Sequence, residues 1–120
     1  RRFLLEPARR VRTPPQAVKH PVVLTPAARD DVRCIDGWWR ANRPAAAGLF
    51  AGELSAALAL LEVAPEMGRP YRHRVIPGLR RVLLRSTRYH VYYVLLDNAV
   101  RILAIWSALR GRQPNFVARR

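Results

Sequence analysis

The sequence predicts an α+β domain in which an N-terminal strand and a helical hairpin precede three to four antiparallel strands forming one sheet. Three observations predict it. Apolar residues repeat at helical spacing up to residue 64, then at strand spacing from residue 73 onward. Thr25-Pro26 joins a β-branched run directly to a helix, with Thr as N-cap and Pro at the first helical position. Short turn dipeptides divide the C-terminal half, and links that short force neighbouring strands to be antiparallel. A length of 120 residues suits one domain, because a core of this size stabilises a single pair of layers.

In chain order, "PVVLT" (21–25) is the first strand. In the helix that follows, Ala28, Val32, Ile35 and Trp39 fall on one face, and Asp30, Asp31 and Arg33 are expected to point elsewhere. "ANRP" breaks this helix. Pro44 opens a second one, whose apolar face is Phe50, Leu54, Ala57, Leu58 and Leu61, and Ala64-Pro65 ends it. "PEMGRP" reads as a surface loop. The strands are then "HRVI", "LRRVLLRS", "YHVYYVLL" and "AVRILAIW", separated by Pro77-Gly78, Thr87-Arg88 and Asp97-Asn98. Continuous apolar runs in the last two imply strands buried on both faces, so something other than the helices must cover the second face.

Charge divides the chain. There are 22 basic and 8 acidic residues, a net of +14, which favours nucleic acid, an acidic partner or an anionic surface. Residues 1–20 are expected to form a basic, Pro/Arg-rich flexible arm, 21–116 the domain, and 117–120 a basic tail. Residues 21–62 hold four arginines against five acids, whereas 63–112 hold ten against two, so the positive field belongs to the sheet half. Cys34 is the single cysteine and cannot form an internal disulfide, which fits a reducing cytoplasm. No run of about 20 apolar residues suggests a membrane span. His20, His73 and His90 lack metal-ligand spacing, and neither metal nor cofactor is expected.

The order of elements, with "PEMGRP", "PGLRRVLL", "RYHVYYVL" and "VRILAIW" in sequence over about residues 22–116, resembles the RelE/ParE superfamily of toxins from type II toxin-antitoxin systems. The resemblance implies a toxin neutralised by an acidic antitoxin of ParD, RelB or Phd type in a toxin-antitoxin hetero-oligomer. Its members are DNA gyrase poisons of ParE type or ribosome-dependent mRNA endonucleases of RelE type. The nuclease pattern uses sheet cations and a late tyrosine. Matched to it, Arg81 fills one of two lysine positions and Leu83 the other, His90 and Arg110 stand at the two arginines, and Phe116 stands at the tyrosine.

In-line RNA cleavage needs a proton acceptor, cations for the phosphate and a donor for the leaving oxygen. Leu83 and Phe116 carry none of these groups, so the sequence favours the ParE-type toxin. A nuclease using Arg81, His90 and Arg110 is the alternative, and a non-catalytic nucleic-acid-binding module a third class. The expected target-binding residues are Arg80, Arg81, Arg85, Arg88, Arg110 and Arg112. Those expected to meet the antitoxin are Trp38, Leu49 and Arg74. His90 itself is either a strand histidine or, with an imidazole titrating near neutrality, a general base.

Overall fold

The computed structural model describes residues 18–119. β1 (Val22–Leu24) leads into α1 (Pro26–Asn42), a short 3-10 turn at Pro44–Ala46, and α2 (Leu49–Val63). β2 (Arg69–Pro70), β3 (Arg80–Leu84), β4 (Tyr89–Leu96) and β5 (Ala99–Ser107) follow. One five-stranded sheet has the order β1-β5-β4-β3-β2. β1 lies parallel to β5, with Val22 opposite Val100, and the remaining pairs are antiparallel.

The local signals act as their chemistry requires. Thr25 Oγ1 accepts the Ala28 N–H at 3.2 Å and caps α1. Arg88, Asp97 and Asn98 take positive φ (67°, 52° and 65°), the left-handed conformation that lets the two tight turns follow the twist of their strands. The faces of α1 and α2 bury Ala28, Phe50, Leu54, Ala57 and Leu61 against Val91, Tyr93, Val100 and Ile102. On the opposite face Leu79, Tyr92, Ala104 and Phe116 form a second core, roofed by Tyr71, Ile76 and Trp106. A bulge where Tyr92 pairs with Ala104 but Tyr93 with Ile102 adds Leu103 to that second face. The second face is thus covered by a loop and the C-terminal segment.

Three expectations are corrected. "HRVI" is not a strand: β2 lies earlier, at Arg69–Pro70, and Tyr71 N–H donates to Leu79 O at 2.8 Å to close a wide loop. That loop uses its apolar residues to seat Tyr71 and Ile76 on the second core. Secondly, Pro44–Val63 is long and apolar enough to cross a membrane by length and composition, with a mean hydropathy of 1.6. Four of its residues are nevertheless the buried face of α2. Thirdly, Asp31, which helical spacing only sets off the apolar face of α1, has a specific partner in the sheet. Its carboxylate accepts the Ile105 N–H at 3.0 Å and pairs with Arg119, closing the edge of β5 just beyond the last residue paired with β1.

Candidate functional site

Strand alternation decides which arginines reach the open face of the sheet. Arg81 is opposite Tyr92 and Leu83 opposite His90, all on the face away from the helices, while Val82 and Leu84 pack with the helical core. Arg80, opposite Tyr93, is turned to the other side. Its guanidinium donates to Gly68 O at 2.7 Å and Glu66 O at 3.1 Å, so it ties the loop after α2 to the sheet. Arg85 and Arg88 are exposed beyond the end of β3.

Aromatic rings hold the open-face arginines. Arg81 lies 4.4 Å above the Tyr71 ring and donates to Tyr92 Oη at 3.2 Å. Arg110 lies 4.3 Å from the centre of the Trp106 ring, and Trp106 Nε1 donates to Arg112 O at 3.0 Å. Such stacking orders a guanidinium without neutralising it. Arg81, His90, Arg110 and Arg112 line one groove of about 590 Å³. Beside it, Arg69, Arg81, Arg85 and His90 line a second concavity of about 360 Å³. Burial holds the His90 imidazole below its usual pKa of 6.5, and the positive charges of Arg81 and Arg88 lower it further, so it is neutral at pH 7.

The three residues of the nuclease alternative, Arg81, His90 and Arg110, therefore share a groove. The two unfilled positions do not supply the missing chemistry. Leu83 is 37% exposed and apolar, and Phe116 is 2% exposed, wedged against Tyr92 and His73 at ring separations of 5.2 and 5.1 Å. Sequence reasoning missed Tyr71 and Trp106 as guanidinium platforms and Arg69 as a member of the groove. The four-residue spacing of Trp106 and Arg110 is the signal that could have found one of them. Among the described residues no cluster of His, Cys, Asp or Glu could hold a metal ion.

The residues expected to meet the antitoxin lie on three elements. Trp38, on α1, is 47% exposed and lines a cleft with Tyr89, Trp106 and Arg110. Leu49 opens α2 and is 43% exposed, and Arg74 is exposed on the loop between β2 and β3. A further apolar groove, about 230 Å³, runs between α2 and β3 and includes Ala56, Leu60, Met67 and Leu83. β2 pairs only with Arg80 and Arg81, so the outer edge of Val82–Leu84 beside this groove has no strand partner among the described residues.

Comparison with known proteins agrees with this architecture. Residues 22–111 match the family described as "ParE toxin of type II toxin-antitoxin system, parDE". Among solved structures, a chain of the chromosomal ParDE toxin-antitoxin system from P. aeruginosa superposes with a TM-score of 0.63 at 17% identity, over 74% of this chain and 96% of that one. No curated protein matches the chain. The family match runs from β1 to the loop after β5 and contains both helices, the whole sheet and every cation of the groove but Arg112. The chain therefore belongs to the ParE toxin family, the toxin component of parDE type II toxin-antitoxin systems.

Proposed function

We propose that this toxin acts on DNA gyrase and is neutralised by an acidic antitoxin. The observation that carries the choice of target is the composition of the open face. Its cations are in place, yet Leu83 and the buried Phe116 occupy positions where an RNA-cutting site needs proton-transfer groups. A face with charge and no acid-base pair suits binding better than bond cleavage. Trapped gyrase–DNA breaks on expression of the full chain are the expected result. Ribosome-dependent mRNA cleavage without gyrase-linked breaks would reverse the assignment.

The nuclease reading keeps one specific support, the convergence of Arg81, His90 and Arg110 on a single groove. A neutral imidazole there is able to accept a proton. RNA cleavage by the unmodified chain, abolished by Arg110→Ala, would favour it.

The antitoxin surface we assign to the helical hairpin and the free edge of β3, with Trp38 and Leu49 as exposed apolar anchors and Arg74 as a peripheral cation. An amphipathic acidic segment fits there: the floor is apolar, the strand edge offers backbone partners, and Arg85 stands at the rim. Leu60→Asp in the α2–β3 groove should weaken antitoxin binding by at least about tenfold, or about 1.4 kcal/mol. Unchanged affinity would remove the groove from the interface.

A further inference from the structure

Residues 112–119 form a strap that crosses the open face toward α1 and is fixed at both ends and in the middle. Trp106 Nε1 donates to Arg112 O at 3.0 Å, and Tyr71 Oη donates to Gln113 Oε1 at 2.5 Å. Phe116 is sunk against Tyr92 and His73 in the second core. Beyond it the Arg119 N–H donates to Phe116 O at 3.2 Å, a turn from which the Arg119 guanidinium reaches Asp31 on α1. That carboxylate also accepts the Ile105 N–H, so one side chain of the helical layer holds both β5 and the strap.

Global stability does not explain the last of these fixings. Both side chains of the pair are only 17% exposed, and the buried Arg119 Nε has no acceptor among the described residues. Burial raises the Asp31 pKa above its ordinary 3.8 by more than the Ile105 N–H and Arg119 lower it. An acid whose pKa rises on folding contributes fully below its unfolded pKa and loses that contribution as pH rises through the folded value. At pH 7 the ionised, buried pair therefore detracts from global stability. What it sets is position. The Trp106 ring has three guanidinium groups around it, Arg110 at 4.3 Å, Arg119 at 5.8 Å and Arg112 at 6.0 Å from its centre. Asp31 draws Arg119 toward α1, and the face of the ring is left to Arg110.

We propose that Asp31 and Arg119 are positioning residues for toxicity: their pair fastens the strap at α1, and the fastened strap fixes Trp106 and the Arg110 stacked on it at the rim of the groove. This role rests on the open face being the target surface, and on neither choice of target. An unfastened Arg119 competes for the Trp106 ring and repels Arg110, while Phe116 and the helical core keep the domain folded. Ordering a long side chain before contact lowers the entropic cost of binding, and that is the gain the pair supplies.

The test uses the full chain, read by growth arrest on graded expression and by the indole N–H resonances of the purified, 15N-labelled protein. Asp31→Asn keeps an acceptor for the Ile105 N–H and removes the charge that holds Arg119. It should leave the melting temperature within about 3 °C of the unmodified chain. It should also raise the expression level needed for growth arrest at least about fivefold. The Trp106 resonance, identified by its loss in Trp106→Phe, should shift and exchange faster with solvent, whereas the Trp39 indole bonded to Tyr89 Oη should stay unchanged. Arg119→Lys keeps a cation for Asp31 and should remain within about twofold of full toxicity.

An unmoved Trp106 resonance in Asp31→Asn overturns the positioning role whatever the growth data, and so does full toxicity of that variant. Loss of toxicity accompanied by a larger fall in melting temperature assigns the pair to folding and overturns it as well, as does an equal loss in Arg119→Lys. Arg110→Ala separates this role from the reading beneath it. Undiminished toxicity there removes the open face from the target contact and the positioning role with it, whereas a harmless Arg110→Ala beside a fully toxic Asp31→Asn removes the positioning role alone.

Discussion

The two faces of the sheet bury aromatic cores of the same kind by different means. On the helical side Phe50 of α2 and Tyr93 share the core beneath the helices, and Asp30, Asp31 and Asp36 are engaged in ion pairs and Glu53 in the contact to the turn after β3. On the other side Phe116 and Tyr92 lie under an irregular loop and the chain end, and the arginines around them rest on aromatic rings. Charge that is countered within the protein holds the fold together. Charge held in place without a counter-ion is open to a partner of opposite charge.

If that contrast is right, the largest effects come from the helical side. Phe50→Ala should lower stability by about 3–5 kcal/mol, because a fully buried ring between a helix and the centre of the sheet leaves a cavity that neither can close. Phe116→Ala should cost less in global denaturation, since the chain end can detach locally. Hydrogen exchange would then accelerate around Trp106 to Arg119 while the centre of β4 stays protected. Equal global losses would show that the C-terminal cover is as integral as the helices.

Next in size is the junction that separates Arg80, tied to the loop after α2, from the arginines of the open face. Tyr93 Oη donates to Pro65 O at 2.6 Å and accepts the Gly68 N–H at 2.9 Å, and a Cβ on Gly68 would lie 2.5 Å from that oxygen. Gly68→Ala should therefore cost about 1–3 kcal/mol. Arg80→Ala removes the two bonds to Gly68 O and Glu66 O and should cost about 1.5–3 kcal/mol in denaturant melts while a folded variant stays toxic. Arg110→Ala should do the reverse. Loss of toxicity with Arg80→Ala in a fully folded variant would place Arg80 among the target contacts, where its sequence context had suggested it.

Arg80 also shows where sequence reading stops. The helical face was legible because Ala28, Phe50, Leu54 and Leu61 repeat at the helical period, and β3 to β5 because Thr87-Arg88 and Asp97-Asn98 mark the boundaries. Alternation even put Arg80 and Arg81 on opposite faces. It could not say that the Arg80 side would meet two backbone carbonyls. Nor does a period mark the second cover. Tyr71, Ile76 and Phe116 are separated in sequence by three strands, and "HRVI" imitates a strand while belonging to a loop. Helical spacing puts Asp31 off the apolar face of α1, but it does not reveal the Ile105 N–H beyond the end of β1 that the carboxylate meets.

Smaller effects come from Glu53, which joins the layers. Its carboxylate accepts Ser86 N–H at 2.7 Å, Thr87 N–H at 3.0 Å and Thr87 Oγ1–H at 2.6 Å. Burial raises its pKa, but the bonds from Thr87 and Ser86 outweigh that and hold it below the ordinary 4.5. A depressed acid stabilises the fold above its unfolded pKa, so this contribution is complete above 4.5 and fades as pH falls through the lower folded value. Glu53→Gln should flatten the stability profile in that acid range and lower stability by about 1 kcal/mol at pH 7. An identical acid profile in the variant would show that the turn does not depend on the charge.

The smallest expected effect is at the N-terminus, where residues 1–17 carry five arginines but fall outside the family match. The domain is fastened just after them. His20 N–H donates to Glu62 O at 2.7 Å, and Val100 N–H donates to Pro21 O at 2.8 Å, so residues 20 and 21 already tie the start of β1 to α2 and β5. Deleting 1–17 should leave the melting temperature within about 2 °C, because the contacts that set it lie in the two cores. Cations of the arm can still add screened attraction to a polyanion, which fades beyond about 8 Å at physiological salt. Truncation should accordingly slow association with the target at low salt and preserve toxicity. A truncated chain that unfolds, or that binds antitoxin but no longer kills, would show that the arm packs on the domain or contacts the target, and the division between a structural helical layer and a functional sheet face would have to include it.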